Sequence, residues 1–422
     1  MENIGMLFEK NNSHQYKVDL NKGVLVISIR TTDQDSLVKF FNLFCGNKNS
    51  TDMSKISDRP FCGFDIERII NIINSAHKKY GKMKFKIVLD FENIKFIDKL
   101  TYILLECICY YLIKVYSHPV YLSMRVDTEI NTVGVNSSPM LLLNSGKKEN
   151  ILKFPQKFCF DIYGKHFRKV IDGKGKRGTN YLGELYKDID SFLKPFGIDE
   201  ECRDELSLVI VELADNAGEH SNSECLIDID VAPEYEKRDS ELGISDGNYY
   251  YGINIAILNF SNRCLGDDIY ENIIQQDYNN MQERYKKVIV AYRKHSQHFS
   301  SAYTERDFCN ITAFQDKISG RMEQSVTGGT GLTKLIKSLQ DKSDTYRCYM
   351  ITGSNCVNFY KEVLEYDKDG WIGFNQHHDY FNDIPEDGVI GEPLIYMPGT
   401  AYNFNFVLKG EKIDEYGNSI TV

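Results

Sequence analysis

The chain has 422 residues and carries 60 Asp and Glu against 50 Lys and Arg, a net charge of −10 that argues against a protein built mainly to coat nucleic acid. A 42% hydrophobic and 26% charged composition is ordinary for a globular protein, and the length allows two or three domains, each with its own core. The eleven cysteines include no paired C-x-x-C units, so they read as reduced core thiols of a cytoplasmic protein rather than zinc ligands or disulfides. The opening MENIGMLFEKNNSHQ turns polar too soon for a signal peptide.

Gly23–Arg30, GVLVISIR, has the pattern of a strand, and Asp65–Tyr80 has helical periodicity. Lys82–Arg125 then reads as a compact unit: a strand in KMKFKIVLDF, a short apolar step, a long apolar helix and a second strand in PVYLSM. The helix, Leu100–Tyr116, is interrupted by Glu106 and Lys114 and is short for a bilayer, so burial is expected and no membrane association. Strands alternating with helices suggest an open α/β sheet. The run VLDFENIKFIDKLTYILL resembles the STAS domains of anti-sigma-factor antagonists. In that family a phosphorylatable Ser or Thr often follows the Asp of the FID step; here the position is Lys99, and Thr101 is the nearest hydroxyl.

Ser138–Lys165 reads as a connector, and the Gly-rich basic stretch Gly164–Asn180 as a flexible loop, because it lacks phosphate-loop spacing. A boundary is placed between residues 155 and 156. Beyond Leu182, a helix ending in LSLVIVELADNAGEHSN (Leu206–Asn222) sets Val209, Ile210 and Leu213 on a core stripe and Glu212, Asp215, Asn216 and Glu219 on the opposite face. A solvated polar face explains this row, and so does a site for an oxygen-seeking Mg²⁺ ion and an activated water. Two strands follow, in CLIDIDVA and YYGINIAILNF, separated by a polar insertion. Further on, SVTGGTGLTKLIKSL (Ser325–Leu339) places Gly328, Gly329 and Gly331 before a periodic helix, where backbone N–H groups approach an anion closely.

Together, ELADNAGEHS and TGGTGL resemble the GHKL ATPases, the Bergerat-fold group that includes DNA gyrase B, MutL and the histidine kinases. The resemblance covers roughly residues 182–408, including the Gly-Thr turn of PGTAYNFNFVL. It implies an α/β chain, an α+β two-layer sandwich in the ATP domain: a STAS-like domain over 1–155, then a GHKL ATP-binding domain over 156–422 with a lid insertion at 262–327. It also implies that Glu212 is the general base and Asn216 the Mg²⁺ ligand, with Asp215 and Glu219 ordering water at the metal. Thr327, Gly328, Gly329, Thr330, Gly331 and Leu332 wrap the triphosphate. His220 touches phosphate or caps the helix, and Lys317 and Arg321 are either γ-phosphate contacts or surface residues. The family's adenine-binding D-x-G-x-G departs here to Asn259, Ser261 and Arg263; Asn259 still offers a carbonyl acceptor.

The function implied is a switch that binds and hydrolyses ATP with Mg²⁺ and controls a protein partner or a homodimer. An anti-sigma-type serine/threonine kinase and a nucleotide-binding pseudo-enzyme stay open beside it. Glu212 favours hydrolysis, since water needs a base.

Overall fold

The computed structural model describes residues 1–29, 60–91, 96–124, 138–144, 146–173, 178, 180–221, 223–232, 248–275, 283–318, 331–343 and 348–412; inside these, the side chains of Glu2, Met124, Glu219, His220 and Ser221 are left aside. The chain is mixed α/β and divides into two compact units, Ile4–Arg168 and Lys169–Val422 with Met1–Asn3.

In the first unit, β1 (Val24–Ile29), β2 (Lys86–Phe91) and β3 (Val120–Met124) form a parallel sheet in that order, with Val24 opposite Lys86 and Ile87 opposite Val120. Parallel neighbours require crossovers, and helices supply them. A first short helix, α1 (Gly5–Lys10), precedes β1; α2 (Gly63–Tyr80) follows β1, and α3 (Lys99–Lys114) joins β2 to β3. Ile66, Ile69, Ile70 and Ile73 give α2 its buried stripe, and Gly81 ends it at φ 61°. The start of α3 is fixed by Asp98, whose carboxylate accepts the Thr101 backbone N–H at 2.8 Å. The rest of α3 is apolar on nearly every side and is accordingly buried, and no described helix is long and apolar enough to cross a membrane.

Glu106 stands in the middle of α3, fully buried. A charge there survives only with a full set of partners. Its Oε1 accepts from Ser138 Oγ at 2.5 Å and from the Met140 N–H at 2.9 Å, and Oε2 pairs with the buried Arg168. The stretch expected as a connector is thereby structured: α4 (Leu141–Asn144) and α5 (Lys148–Cys159) lead into β4 (Phe160–Tyr163). The expected Gly-rich loop likewise opens with a strand, β5 (His166–Ile171), across which the division of the chain falls. Sequence periodicity hides β5 because basic residues alternate poorly with Phe167, Val170 and Ile171, whereas pairing in a sheet needs only the backbone.

The second unit is built on a sheet of order β10-β9-β8-β11-β7-β6-β5, with β6 (Cys225–Ala232), β7 (Tyr249–Asn259), β8 (Tyr349–Gly353), β9 (Asn355–Asn358), β10 (Ile390–Gly391) and β11 (Met397–Gly410). From β6 to β10 the neighbours run antiparallel. Ile253, Ile255 and Ile257 share one face of β7 with Asn259. Three helices matter for the site: α6 (Tyr181–Leu193), α7 (Glu200–Ser221) and α11 (Gly331–Lys342). Helix α7 packs on α6, α11 and strands β6, β7 and β11 through Leu206, Val209, Ile210 and Leu213.

Between β7 and α11 lie α8 (Asp267–Gln275), α9 (Glu283–His295) and α10 (Glu305–Thr312). They share an aromatic core with the segment before β10. His295 is buried with Nδ1 2.8 Å from Tyr303 Oη and Nε2 2.9 Å from the Tyr380 carbonyl, and Trp371 stacks on Tyr380 at 5.1 Å. The Arg284 guanidinium lies 4.0 Å from the Trp371 ring centroid. The described part of the stretch expected as a lid is therefore a folded helical layer that shares an aromatic core with the segment before β10.

Candidate functional site

Three of the four polar residues expected on α7 are described with their side chains, and each is half-buried: Glu212, Asp215 and Asn216. Their placement follows from packing. With Val209, Ile210 and Leu213 turned inward, positions 212, 215 and 216 must lie on the flank of the helix. Tyr181, the first residue of α6, donates its hydroxyl to Asp215 Oδ1, so α6 holds that carboxylate. The Asn216 side chain makes no hydrogen bond among the described residues. Glu212 Oε1 is 3.4 Å from Lys334 Nζ, and this pair links α7 to the first turns of α11. Leu332, Leu335, Ile336 and Leu339 of α11 are buried, which fixes the rotation of that helix and the direction of Lys334.

At the end of β7, Asn259 is buried and its carboxamide is held at both ends. Nδ2 donates to Ser223 Oγ at 2.9 Å, and Oδ1 accepts the Thr400 backbone N–H at 3.3 Å. Ser223 lies just past the end of α7, so this contact ties β7 to the chain leaving that helix. Asn259 stands in register with Cys225 on one side and Thr400 on the other, and Thr400 pairs with Thr352 on β8. Thr352 Oγ1 donates to the Gly399 carbonyl at 2.8 Å and accepts the Leu265 N–H at 3.0 Å. Gly399, at φ 94°, sits where a methyl group would overlap the Asn259 carbonyl and come within 2.9 Å of Ser261 N. The Pro-Gly-Thr step, expected as a turn, lies within β11 at a register shift between Met397 and Thr400 and thus has a steric reason for its glycine.

Ser261 closes a local turn, its hydroxyl donating to the Arg263 carbonyl at 2.7 Å and accepting the Arg263 N–H at 2.9 Å. Arg263 pairs with Glu271 at 2.6 Å and also with Asp268, and these carboxylates, Glu271 first, raise the guanidinium pKa further above its ordinary range. Lys317 is exposed at φ 56°, with Nζ 3.9 Å from Asp316. The Asp316 carboxylate also meets Thr333 Oγ1 of α11 at 3.4 Å, so the Lys317 turn runs beside the start of that helix. Gly331 begins α11. Arg321, Thr327, Gly328, Gly329 and Thr330 lie outside the described residues, as do the side chains of Glu219 and His220.

Sequence reasoning missed Lys334, Tyr181 and Ser223. Lys334 follows the glycine run by one helical turn, which is a signal for a cation facing whatever that run holds. Tyr181 and Ser223 carry no such mark, because their partners are remote or lie in another element. Comparison of the chain with protein-family models, with curated proteins and with solved structures returned no match. Function must therefore be argued from the side chains themselves. Glu212, Asp215 and Asn216 offer only oxygen donors, which suits a hard cation such as Mg²⁺ better than zinc or copper. Lys334 adds a positive charge beside Glu212, and the polar groups around Asn259 suit the hydrogen-bonding edge of a heterocycle.

Proposed function

We propose that the second unit is a GHKL-type, Bergerat-fold nucleotide module that binds and hydrolyses ATP with Mg²⁺ and uses the nucleotide state to control a protein partner or a second copy. The observation that carries this reading is the approach of Lys334 to Glu212 at 3.4 Å, which sets the helix after the glycine run against the acidic flank of α7. The tie from Asn259 to Ser223 supports it by bringing the end of β7 to the exit of the same helix.

In this reading Asn216 would hold the metal, and Asp215, oriented by Tyr181, would order water near it. Glu212, one helical turn before Asn216, orients the attacking water and takes its proton. The resemblance assigns residues 327–332 to the triphosphate, to which backbone N–H groups would donate, and Asn259, at the end of β7, to the adenine edge. Mg²⁺, when bound, offsets phosphate charge. The first unit is a STAS-like regulatory module, a reading supported by its parallel sheet and by Asp98 opening α3. Lys99 is 3% exposed and Thr101 6% exposed, so the usual phosphoacceptor position of that family offers no accessible hydroxyl here. This favours a nucleotide switch over an antagonist regulated by phosphorylation.

Calorimetry of the full chain with a nonhydrolysable ATP analogue tests the reading. Binding at one site per chain is expected, and Asn216→Ala should weaken it about tenfold or more with Mg²⁺ present and little in EDTA. No heat from the unaltered chain at millimolar analogue would refute it.

A further inference from the structure

Lys334 has a fixed origin and a free end. Its neighbours Leu332, Leu335 and Ile336 are buried and pin α11, whereas its own side chain is 48% exposed and that of Glu212 32% exposed. An ion pair this open, at 3.4 Å and without a second hydrogen bond, is among the weak ones and exchanges readily. Among the described residues Glu212 makes no other hydrogen bond or ion pair, and Lys334 sits on the turn of helix that follows the glycine run.

A terminal phosphate carries roughly two negative charges against the single charge of a carboxylate, and it offers three oxygens to an ammonium group. Placed between α7 and α11, it competes for Lys334 on better terms than Glu212 does. Resting on the nucleotide reading above, we propose that Lys334 is an exchangeable phosphate ligand: paired with Glu212 when the γ-phosphate is absent, and transferred to that phosphate when a nucleoside triphosphate binds. The exchange frees the Glu212 carboxylate for water only when there is a phosphoryl group to hydrolyse. Lys334 then has two roles, recognising the γ-phosphate and withholding the base until it arrives.

The test is calorimetry of the full-length chain with Mg²⁺ and either ADP or a nonhydrolysable ATP analogue, for the unaltered protein, Lys334→Met, Lys334→Arg, Glu212→Gln and the double variant Lys334→Met/Glu212→Gln. Lys334→Met should lose about tenfold or more in affinity for the analogue while ADP affinity stays within about twofold. Lys334→Arg, which keeps the charge, should retain analogue binding and guards against a folding artefact. Glu212→Gln removes the competitor and should tighten the analogue by about two- to fivefold, an effect that disappears in the double variant. Equal losses for ADP and analogue in Lys334→Met, or no loss for either, would overturn the exchange while leaving the nucleotide site standing. Failure of the unaltered chain to bind either nucleotide would overturn the nucleotide reading and the exchange with it.

Discussion

Glu106 and Glu212 are the same residue in two core helices, α3 apolar on nearly every side and α7 with a polar flank, and they are held in opposite ways. Glu106 is completely buried and meets Ser138 Oγ at 2.5 Å, the Met140 N–H at 2.9 Å and the Arg168 guanidinium. Glu212 is 32% exposed and has, among the described residues, one long contact, to Lys334 at 3.4 Å. The residue type does not separate a structural acid from a chemical one. The number of committed oxygens does. A carboxylate whose oxygens are filled by backbone, hydroxyl and guanidinium fixes a fold, and one with a single weak partner is free to take a proton from water.

The largest expected break of this comparison is Glu106→Ala. It leaves the Arg168 charge buried without its main partner, which typically costs about 3–5 kcal/mol. Urea denaturation should show the full loss, and a loss below about 1 kcal/mol would mean the pair is not structural. Glu106→Gln should fall between, because it keeps the shape and removes the charge.

A second buried polar pair in the same unit sharpens the point through pH. His118 Nδ1 accepts the Phe85 N–H at 3.3 Å, which leaves its Nε2 to donate to His77 Nε2 at 3.0 Å. Both rings are neutral in this arrangement. Burial first, and then the neighbouring His118, pushes the His77 pKa from its ordinary 6.5 down to about 4, and burial lowers that of His118 as well. Tyr116 stacks on His118 and lies tilted against His77, and Lys84 adds a positive charge near His118. Between pH 6.5 and about 4 the unfolded chain takes up protons that the folded one refuses, so stability falls as pH falls through that window. Discounted for partial exposure, the His77 share is on the order of 1–2 kcal/mol. Denaturation at pH 7.5 and 5.0 measures it, and His77→Gln should flatten the slope; an unchanged slope would remove the pair from the account.

The contrast also marks what the sequence made legible. The strand at Cys225–Ala232 and the helices of α2, α3 and α7 follow period and capping closely, because their burial is one-sided or complete and leaves a pattern in the chain. The acidic flank of α7 was legible for the same reason. The partners that give each acid its meaning were not. Arg168 lies 62 residues from Glu106 and Lys334 lies 122 from Glu212, and nothing local announces either pairing. The aromatic core around His295, Trp371 and Tyr380 was also unreadable, since Trp371 and Tyr380 come from irregular chain without a period.

The smallest stability effect belongs to Glu212. Exchanging it for Gln removes one weak, half-exposed ion pair, so the unfolding midpoint should move by no more than about 0.5 kcal/mol in free energy. A loss of several kcal/mol in a denaturation curve would make Glu212 a structural acid like Glu106 and erase the distinction.

Steady-state ATP hydrolysis by Glu212→Gln tests the central claim most directly. A positioned base contributes on the order of 10²–10⁴ in rate, whereas in the proposed reading binding would depend on Asn216, Lys334 and the glycine run. Phosphate release should therefore fall by about 100-fold or more, while affinity for a nonhydrolysable analogue stays within a few-fold of the unaltered chain. Hydrolysis at the unaltered rate in Glu212→Gln, or no hydrolysis by the unaltered protein despite tight binding, would contradict the assignment of Glu212 as the base of an ATPase.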